Sequence, residues 1–192
     1  MTFTAQLKAV TIATALAFSG GAFAMSHAEM KTEKDRIAEQ YKSAKAQCKS
    51  LSGNAKDVCM AEAKGAEKVS KAELSARDKD TPKARYNVRI AKADADYKVA
   101  KEKCDDLAGN AKSVCVKDAK AAHTAAKADA KADMKSAKAG GVASEKVAEA
   151  RKDASDDKRD ANYAAAKARC DTYSGDVKDR CITDAKSRFG MK

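Results

Sequence analysis

The stretch "CDDLAGNAKSVC", from Cys104 to Cys115, decides the fold of this chain. Its two cysteines enclose ten residues, with the pair Gly109-Asn110 near the centre. Glycine accepts the left-handed conformation that ends many helices, and asparagine is a frequent N-cap of the helix that follows. The stretch therefore predicts a helix stop and a helix start between two cysteines.

The same pattern occurs three times in the sequence. The other copies are "CKSLSGNAKDVC" (Cys48 to Cys59) and "CDTYSGDVKDRC" (Cys170 to Cys181). Copies of one supersecondary unit are typical of repeat proteins. The predicted turn and cap residues are Gly53 and Asn54, Gly109 and Asn110, and Gly175 and Asp176.

The residues before each turn have a helical period. In the second copy, apolar positions recur at alternating steps of four and three, which is the heptad pattern of a packed helix. These positions are Tyr86, Ile90, Ala93, Tyr97, Ala100, Cys104 and Leu107. The first cysteine of each pair is therefore expected on a buried seam.

The prediction of buried seams extends to the other helices. We expect packing, rather than a stacking platform, for the remaining tyrosines, Tyr41, Tyr163 and Tyr173. After the second turn a further seam is predicted at Cys115, Ala119, Ala122 and Ala126.

The predicted fold class is all-α, with three disulfide-stapled antiparallel helical hairpins. The six helices are expected near residues 28–52, 54–79, 83–108, 110–138, 144–174 and 176–188. Alanine-rich seams bury little apolar area, so the hairpins are expected to be extended or loosely bundled. A disulfide that closes so short a loop adds about 3 kcal/mol in the chain-entropy model, which offsets the weak core.

The cysteine pairing follows from the nearly equal offset of the two cysteines from the central glycine. In an antiparallel hairpin these offsets place them side by side, which predicts the bridges Cys48–Cys59, Cys104–Cys115 and Cys170–Cys181. Bridging between molecules, metal binding and thiol–disulfide exchange are the alternatives. The sequence contains no C-x-x-C spacing, which disfavours the last two.

Residues 1–24 are typical of a secretory signal peptide. Lys8 precedes the apolar run 9–18, and Ala22 and Ala24 form an A-x-A site that predicts cleavage after Ala24. A retained amphipathic N-terminus is the alternative. The hairpin repeats then occupy 25–81, 82–140 and 141–192, and we expect a periplasmic location, where disulfides form.

No residue pattern in the sequence indicates catalysis. A Ser/His/Asp set, a Gly-rich phosphate loop and a recurring pair of carboxylates on an apolar seam are all missing from the sequence. The two histidines, His27 and His123, are expected on solvated faces. We therefore predict a protein that is not an enzyme and that uses no cofactor and no metal.

The charge favours anionic partners. The net charge is +11, and it falls to +10 without residues 1–24, which contain one charged residue, Lys8. Outside the cytoplasm, anionic partners are lipopolysaccharide, phospholipid headgroups and wall polymers. The Lys/Ala-rich stretch 119–139 is similar to the tails of histone-like proteins, but aspartates interrupt it, so a nucleic-acid partner is disfavoured.

The repeated units, of which "KARYNVRIAKADADYKVAKEKCDDLAGNAKSVCVKDAKAAHTAAKADAK" (83–131) is the fullest, carry a resemblance. They resemble a group of uncharacterised, exported, Ala/Lys-rich bacterial proteins. In composition they are also similar to the helical stalk of TolA, the envelope protein of the Tol–Pal system. The cysteine pairs are an addition to that stalk pattern. The resemblance implies a Gram-negative periplasm and a role in the cell envelope, and it assigns no functional residue.

Three functions follow in order of preference. The first is a structural or interaction role in the cell envelope, without catalysis. The second is a basic binding module for anionic envelope polymers or membrane surfaces, with a protective role under stress. The third is nucleic-acid binding, which requires the protein to stay in the cytoplasm.

Overall fold

The computed structural model describes residues 25–139 and 144–192, which form six α-helices and no β-strand. The helices are α1 (His27–Cys48), α2 (Gly53–Asp78), α3 (Pro82–Cys104), α4 (Gly109–Ala139), α5 (Ser144–Cys170) and α6 (Gly175–Phe189). The predicted all-α class is confirmed. The predicted signal peptide and the glycine pair 140–141 lie outside the described residues.

The helices form an open array. Within the described residues, each helix packs only against the helices that precede and follow it in the chain. Contacts between neighbours join the beginning of one helix to the end of the next, so neighbours are antiparallel. All three cysteine-bearing turns therefore lie at one end of the array, and the connection 79–81 lies at the other. Packing also crosses the repeat boundaries, because α2 contacts α3 and α4 contacts α5.

Two helix starts have clear local causes. Ser26 and Glu29 form a capping box, in which each side chain accepts a hydrogen bond from the backbone N–H of the other residue. Thr81 caps α3 by accepting from the backbone N–H of Ala84 at 3.0 Å. Pro82 occupies the first turn of α3, where its missing N–H and fixed φ favour the helix.

The three turns differ from the prediction in one respect. Each first helix ends at its cysteine, because the next residues form tighter i→i−3 hydrogen bonds, as in Leu51 N–H to the Cys48 carbonyl at 3.2 Å. Gly53, Gly109 and Gly175 have the expected positive φ of 54–55°. They begin the second helix of each hairpin instead of following directly on the first.

The predicted N-cap residues are therefore displaced. Ser52 and Ser174 hold the N-cap positions in extended conformation, so Asn54 and Asp176 lie inside the first turn. Asn110, also inside its helix, donates a hydrogen bond from its side chain to the carbonyl of Asp171, at 3.3 Å. This asparagine links the second turn to the third.

Alanine provides most of the core. The largest fully buried side chains are Ile37, Leu74 and the first cysteine of each pair. This confirms the predicted seam position of those cysteines. The predicted seam of α4 is wrong at Ala122 and Ala126, which are exposed. The helix packs against α3 on one side and α5 on the other, so its buried positions are Ala121, Ala128, Ala130 and Ala132.

Close packing joins the first two hairpins. A Cβ atom placed on Gly65 of α2 would lie 2.8 Å from the Cβ of Ala95 of α3. The two backbones therefore approach to a distance that only glycine permits. Ion pairs flank this contact, with Lys92 to Glu73 at 2.8 Å and Lys103 to Glu62 at 3.6 Å.

Candidate functional site

Each hairpin is closed at its turn by its own disulfide. The bridges Cys48–Cys59, Cys104–Cys115 and Cys170–Cys181 have Cα–Cα distances of 5.5, 5.7 and 5.5 Å, and the described residues contain no free cysteine. These distances lie in the usual range for disulfides. The segments between the paired cysteines, here called the tips, lie at one end of the array, and each is closed by its own bridge.

The tips expose apolar side chains. Leu51, Leu107 and Tyr173 occupy the same position of the repeat, three residues after the first cysteine, and are 42%, 43% and 53% exposed. The predicted seam does not reach them, because the helix has already ended at the cysteine. The expected packing of Tyr173 is therefore wrong.

Ion pairs cross two of the three tips. Lys112 lies 2.9 Å from Asp105, and Lys178 lies 2.9 Å from Asp171, so each pair joins the two arms of its hairpin. The hydrogen bond from the lysine, more than its charge, lowers the pKa of each aspartate below its ordinary value. The first hairpin has Lys49 and Lys56 at these positions. Its tip is therefore the basic one.

A groove lies across α1, α2 and α3, near the end opposite the tips. Its volume is 740 Å³, within the range of small-molecule sites. We call it the arginine groove, because four arginines line it together with Ser70, Glu73 and the apolar residues Ile37, Ala76 and Val88; the arginines are Arg36, Arg77, Arg85 and Arg89. Sequence reasoning missed this cluster, since the arginines come from three helices and share no local motif.

Acidic side chains hold the four arginines in place. Glu33 accepts hydrogen bonds from Arg36 at 2.7 Å and from Arg77 at 3.1 Å. Arg36 first, and then Arg77, lower the pKa of Glu33 below its ordinary value, and the same contact raises the pKa of Arg36. Arg85 pairs with Asp80, and Arg89 pairs with Asp133 of α4.

A second, smaller cavity lies between α1 and α2. It shares Ile37 and Ser70 with the groove and has a volume of 180 Å³. We call it the alanine cleft, because its further walls include Ala44, Ala63 and Ala66, beside Gln40, Tyr41 and Glu67. Alanine side chains are too small to fill the space between these two helices, so a small cavity with both apolar and polar walls remains.

His123 lies inside the second hairpin. The expected solvated face is wrong for this residue, whose side chain is 18% exposed, whereas His27 is exposed. The ring stacks on Tyr97 at 4.7 Å between centroids, and its Nε2 lies 2.6 Å from a carboxylate oxygen of Asp94. These contacts join α3 to α4 and give His123 a packing role.

Three other tyrosines are half-buried. Tyr163 meets Phe189 edge to face, with 6.5 Å between ring centroids, which joins α5 to α6. Tyr41 and Tyr86 are half-buried, and the ammonium of Lys83 lies 4.6 Å above the Tyr86 ring. Packing of these tyrosines agrees with the expectation.

Two absences concern residues 25–139 and 144–192. In that part of the chain no group of three or more His, Cys, Asp or Glu side chains is arranged to hold a metal ion. None of the helices there is long and apolar enough to span a bilayer. The predicted cleavage residues, Ala22 and Ala24, lie outside the described residues.

Comparisons with protein families, with curated proteins and with solved structures find no match to the chain.

Proposed function

We propose that the protein is an exported, non-enzymatic interaction protein of the cell envelope. The observation that supports this most directly is the display of three equivalent, disulfide-closed tips at one end of an open helix array. The repeats present an exposed apolar residue at the same position three times, which favours a repetitive or multivalent partner. The proposed location is the periplasm, where the bridges form and persist.

The polar groups of the arginine groove favour binding over acid–base chemistry. Arginine stays protonated at neutral pH, and the lowered pKa of Glu33 keeps that carboxylate ionised. Neither group exchanges a proton readily near pH 7, so the cluster is suited to hold a ligand. This supports a non-enzymatic role.

A second candidate function is the binding of anionic envelope components. The net charge, +11 for the full chain and +10 without residues 1–24, and the four clustered arginines favour it. Sedimentation of the mature protein with anionic phospholipid vesicles or lipopolysaccharide tests it. We expect co-sedimentation at low salt that is lost at high salt, and no co-sedimentation at low salt would refute it.

Cell fractionation followed by cross-linking in the periplasm tests the first proposal. We expect the protein in the periplasmic fraction, cross-linked to an envelope component in its disulfide-bonded form and less so after replacement of Leu51, Leu107 and Tyr173 by serine. Recovery from the cytoplasm would refute the proposed location. Cross-linking that is unchanged by the tip substitutions would refute the role of the tips.

A further inference from the structure

We propose that a groove of tyrosines and lysines, next to the first two tips, binds a sugar unit that carries a phosphate, with the lysines at the phosphate and the tyrosines at the sugar ring. The groove shares no lining residue with the arginine groove. The proposal rests on the second candidate function, the binding of anionic envelope components, and it adds the site and the chemical class of the ligand.

The groove lies across α1, α2 and α3, near the end of the array that carries the tips. Its volume is about 790 Å³, within the range of small-molecule sites. We call it the tyrosine–lysine groove, because these residues line it: Tyr41, Lys45, Lys64, Tyr97, Lys98 and Lys101. Helix α2 lies between the other two, since α1 and α3 each pack on α2 and, within the described residues, make no contact with each other. Along α2 the lining runs from residue 57 to residue 64, which is about 10 Å at 1.5 Å per residue.

The two sides of the groove carry the same pair of residues. Tyr41 and Lys45 of α1 occupy the repeat positions that Tyr97 and Lys101 occupy in α3. The members of each pair are neighbours on one helix face, because residues i and i+4 lie one turn apart. Both helices are antiparallel to α2 and therefore parallel to each other. The packing of the first two hairpins thus places two tyrosine–lysine pairs at one cavity.

The corresponding pair of the third repeat has partners inside the molecule. Tyr163 meets the ring of Phe189, and Lys167 lies 3.8 Å from a carboxylate oxygen of Asp171. The repeat pattern alone therefore does not produce the groove.

The lysines of the groove have charge available for a ligand. Within residues 25–139 and 144–192, none of the four forms an ion pair with a carboxylate, whereas Lys92 and Lys103, also on α3, do so. All four are exposed. A lysine ammonium has three donors and binds phosphate oxygens as a point charge. The four lysines are therefore suited to a phosphate.

The tyrosines supply a surface for the ring of a sugar. Tyr41 and Tyr97 are half-buried, so part of each side chain faces the groove. The ring of Tyr97 is held by its stack on His123, at 4.7 Å between centroids. A side chain that is already held loses less freedom when a ligand binds. An aromatic ring with a hydroxyl offers both an apolar face and a hydrogen-bonding group.

Two carboxylates in the lining favour a phosphorylated sugar over a nucleic acid. Asp57 and Glu102 line the same groove, and neither forms an ion pair in the part of the chain that the structure describes. A carboxylate accepts hydrogen bonds from hydroxyl groups, which a sugar has in number, and repels a chain of phosphates. With four lysines, the lining has a net charge of +2. This complements one phosphate monoester, which carries about −1.5 to −2 at pH 7.

Calorimetric titration of the mature, disulfide-bonded protein tests the proposal. The probe is the phosphorylated oligosaccharide that remains when the acyl chains of lipopolysaccharide are removed. We expect saturable binding, and binding at least about tenfold weaker to the same oligosaccharide without its phosphates. Glucose 6-phosphate separates the two sources of this chemistry. Tighter binding of the oligosaccharide assigns the site to an envelope glycan, and equal affinity assigns it to a free sugar phosphate.

Two variants separate the phosphate contact from the ring contact. Lys45→Gln with Lys101→Gln should weaken the phosphorylated oligosaccharide about tenfold and leave the dephosphorylated one unchanged. Tyr41→Leu keeps an apolar side chain without the ring and should weaken both forms roughly fivefold.

Each variant has a matched control. Lys127→Gln with Lys131→Gln removes the same charge from exposed positions of α4, and Tyr86→Leu removes a half-buried ring outside the groove. Neither control should change binding of either oligosaccharide. Circular dichroism checks that every variant stays helical.

Four results would overturn the proposal. They are an absence of saturable binding of the phosphorylated oligosaccharide, equal affinity for its dephosphorylated form, equal weakening by the groove and control lysine substitutions, and tighter binding of a single-stranded oligothymidylate. Sedimentation with anionic vesicles distinguishes this failure from failure of the second candidate function. Co-sedimentation that the groove substitutions leave intact would preserve that function and overturn only the site proposed for it.

Discussion

Removal of the central disulfide is the most informative perturbation of the fold. The variant Cys104→Ala with Cys115→Ala breaks the bridge and places a helix-favouring residue at both positions. Alanine is preferred to serine because Cys104 is 1% exposed, and a buried hydroxyl would add its own cost. The second hairpin has packed neighbours on both sides, through α2 and α5. Its loosening should therefore affect the whole array.

The expected loss follows from the loop that the bridge closes. The two cysteines are separated by 11 positions, and a loop of about this length is worth about 3 kcal/mol in the chain-entropy model. With a urea slope of about 2 kcal/mol per M, the unfolding midpoint should fall by about 1.5 M. Few large side chains are buried to compensate, because the core is mostly alanine.

Urea unfolding followed by circular dichroism measures this loss. The matched variant, Cys170→Ala with Cys181→Ala, should behave differently, because α6 packs only against α5. Hydrogen exchange should show local opening of α6 with the first two hairpins still protected. A loss below about 1 kcal/mol for the central pair, or the same exchange pattern in both variants, would refute the nearest-neighbour reasoning.

Three further predictions concern contacts between helices and across the tips. Gly65→Leu should lower the free energy of unfolding by about 1–3 kcal/mol, since a side chain there would push α2 from α3. His123→Ala should lower it by about 2 kcal/mol through loss of one ring stack and one hydrogen bond. Asp105 and Asp171 have pKa values below the ordinary one, so their stabilising effect is present at neutral pH and is lost as the pH falls through those lowered values. Replacing both by asparagine should flatten the acid side of a plot of Tm against pH.

Each of these three predictions has a control. Ala126→Leu places a leucine at an exposed position of α4, and His27→Ala removes an exposed histidine; both should leave Tm unchanged. Equal effects of the test and control variants would contradict the contacts described. For the aspartates, a Tm that falls equally in acid with and without the asparagine substitutions would show that the tip ion pairs are not responsible.

The hairpins and their cysteine partners could be predicted from the sequence because their signals are local. The heptad steps toward Cys104, the glycine and the equal offsets all lie within one unit. The predicted helix ends were less accurate than the predicted hairpins. The i→i−3 hydrogen bonds after each first cysteine depend on how the chain crosses to the facing helix. The exposure of Leu51 follows from the same difference.

Packing between units was beyond sequence reasoning. A single period cannot describe α4, because that helix is buried on two sides, and Ala122 and Ala126 remain exposed. His123 had no local sign of burial, since its partners Tyr97 and Asp94 lie on the preceding helix. The arginine groove was hidden for the same reason, as its side chains meet only when three helices pack.

Disulfide mapping of the protein isolated from the periplasm tests the central claim, that an exported chain closes each hairpin with its own bridge. Trypsin cuts within every tip, at Lys56, Lys112 and Lys178 among others, so each bridge would hold two peptides together until reduction. We predict three linked peptide pairs, joined by Cys48–Cys59, Cys104–Cys115 and Cys170–Cys181, and no free thiol. Free thiols in the periplasmic protein, or a bridge between cysteines of different hairpins, would contradict it.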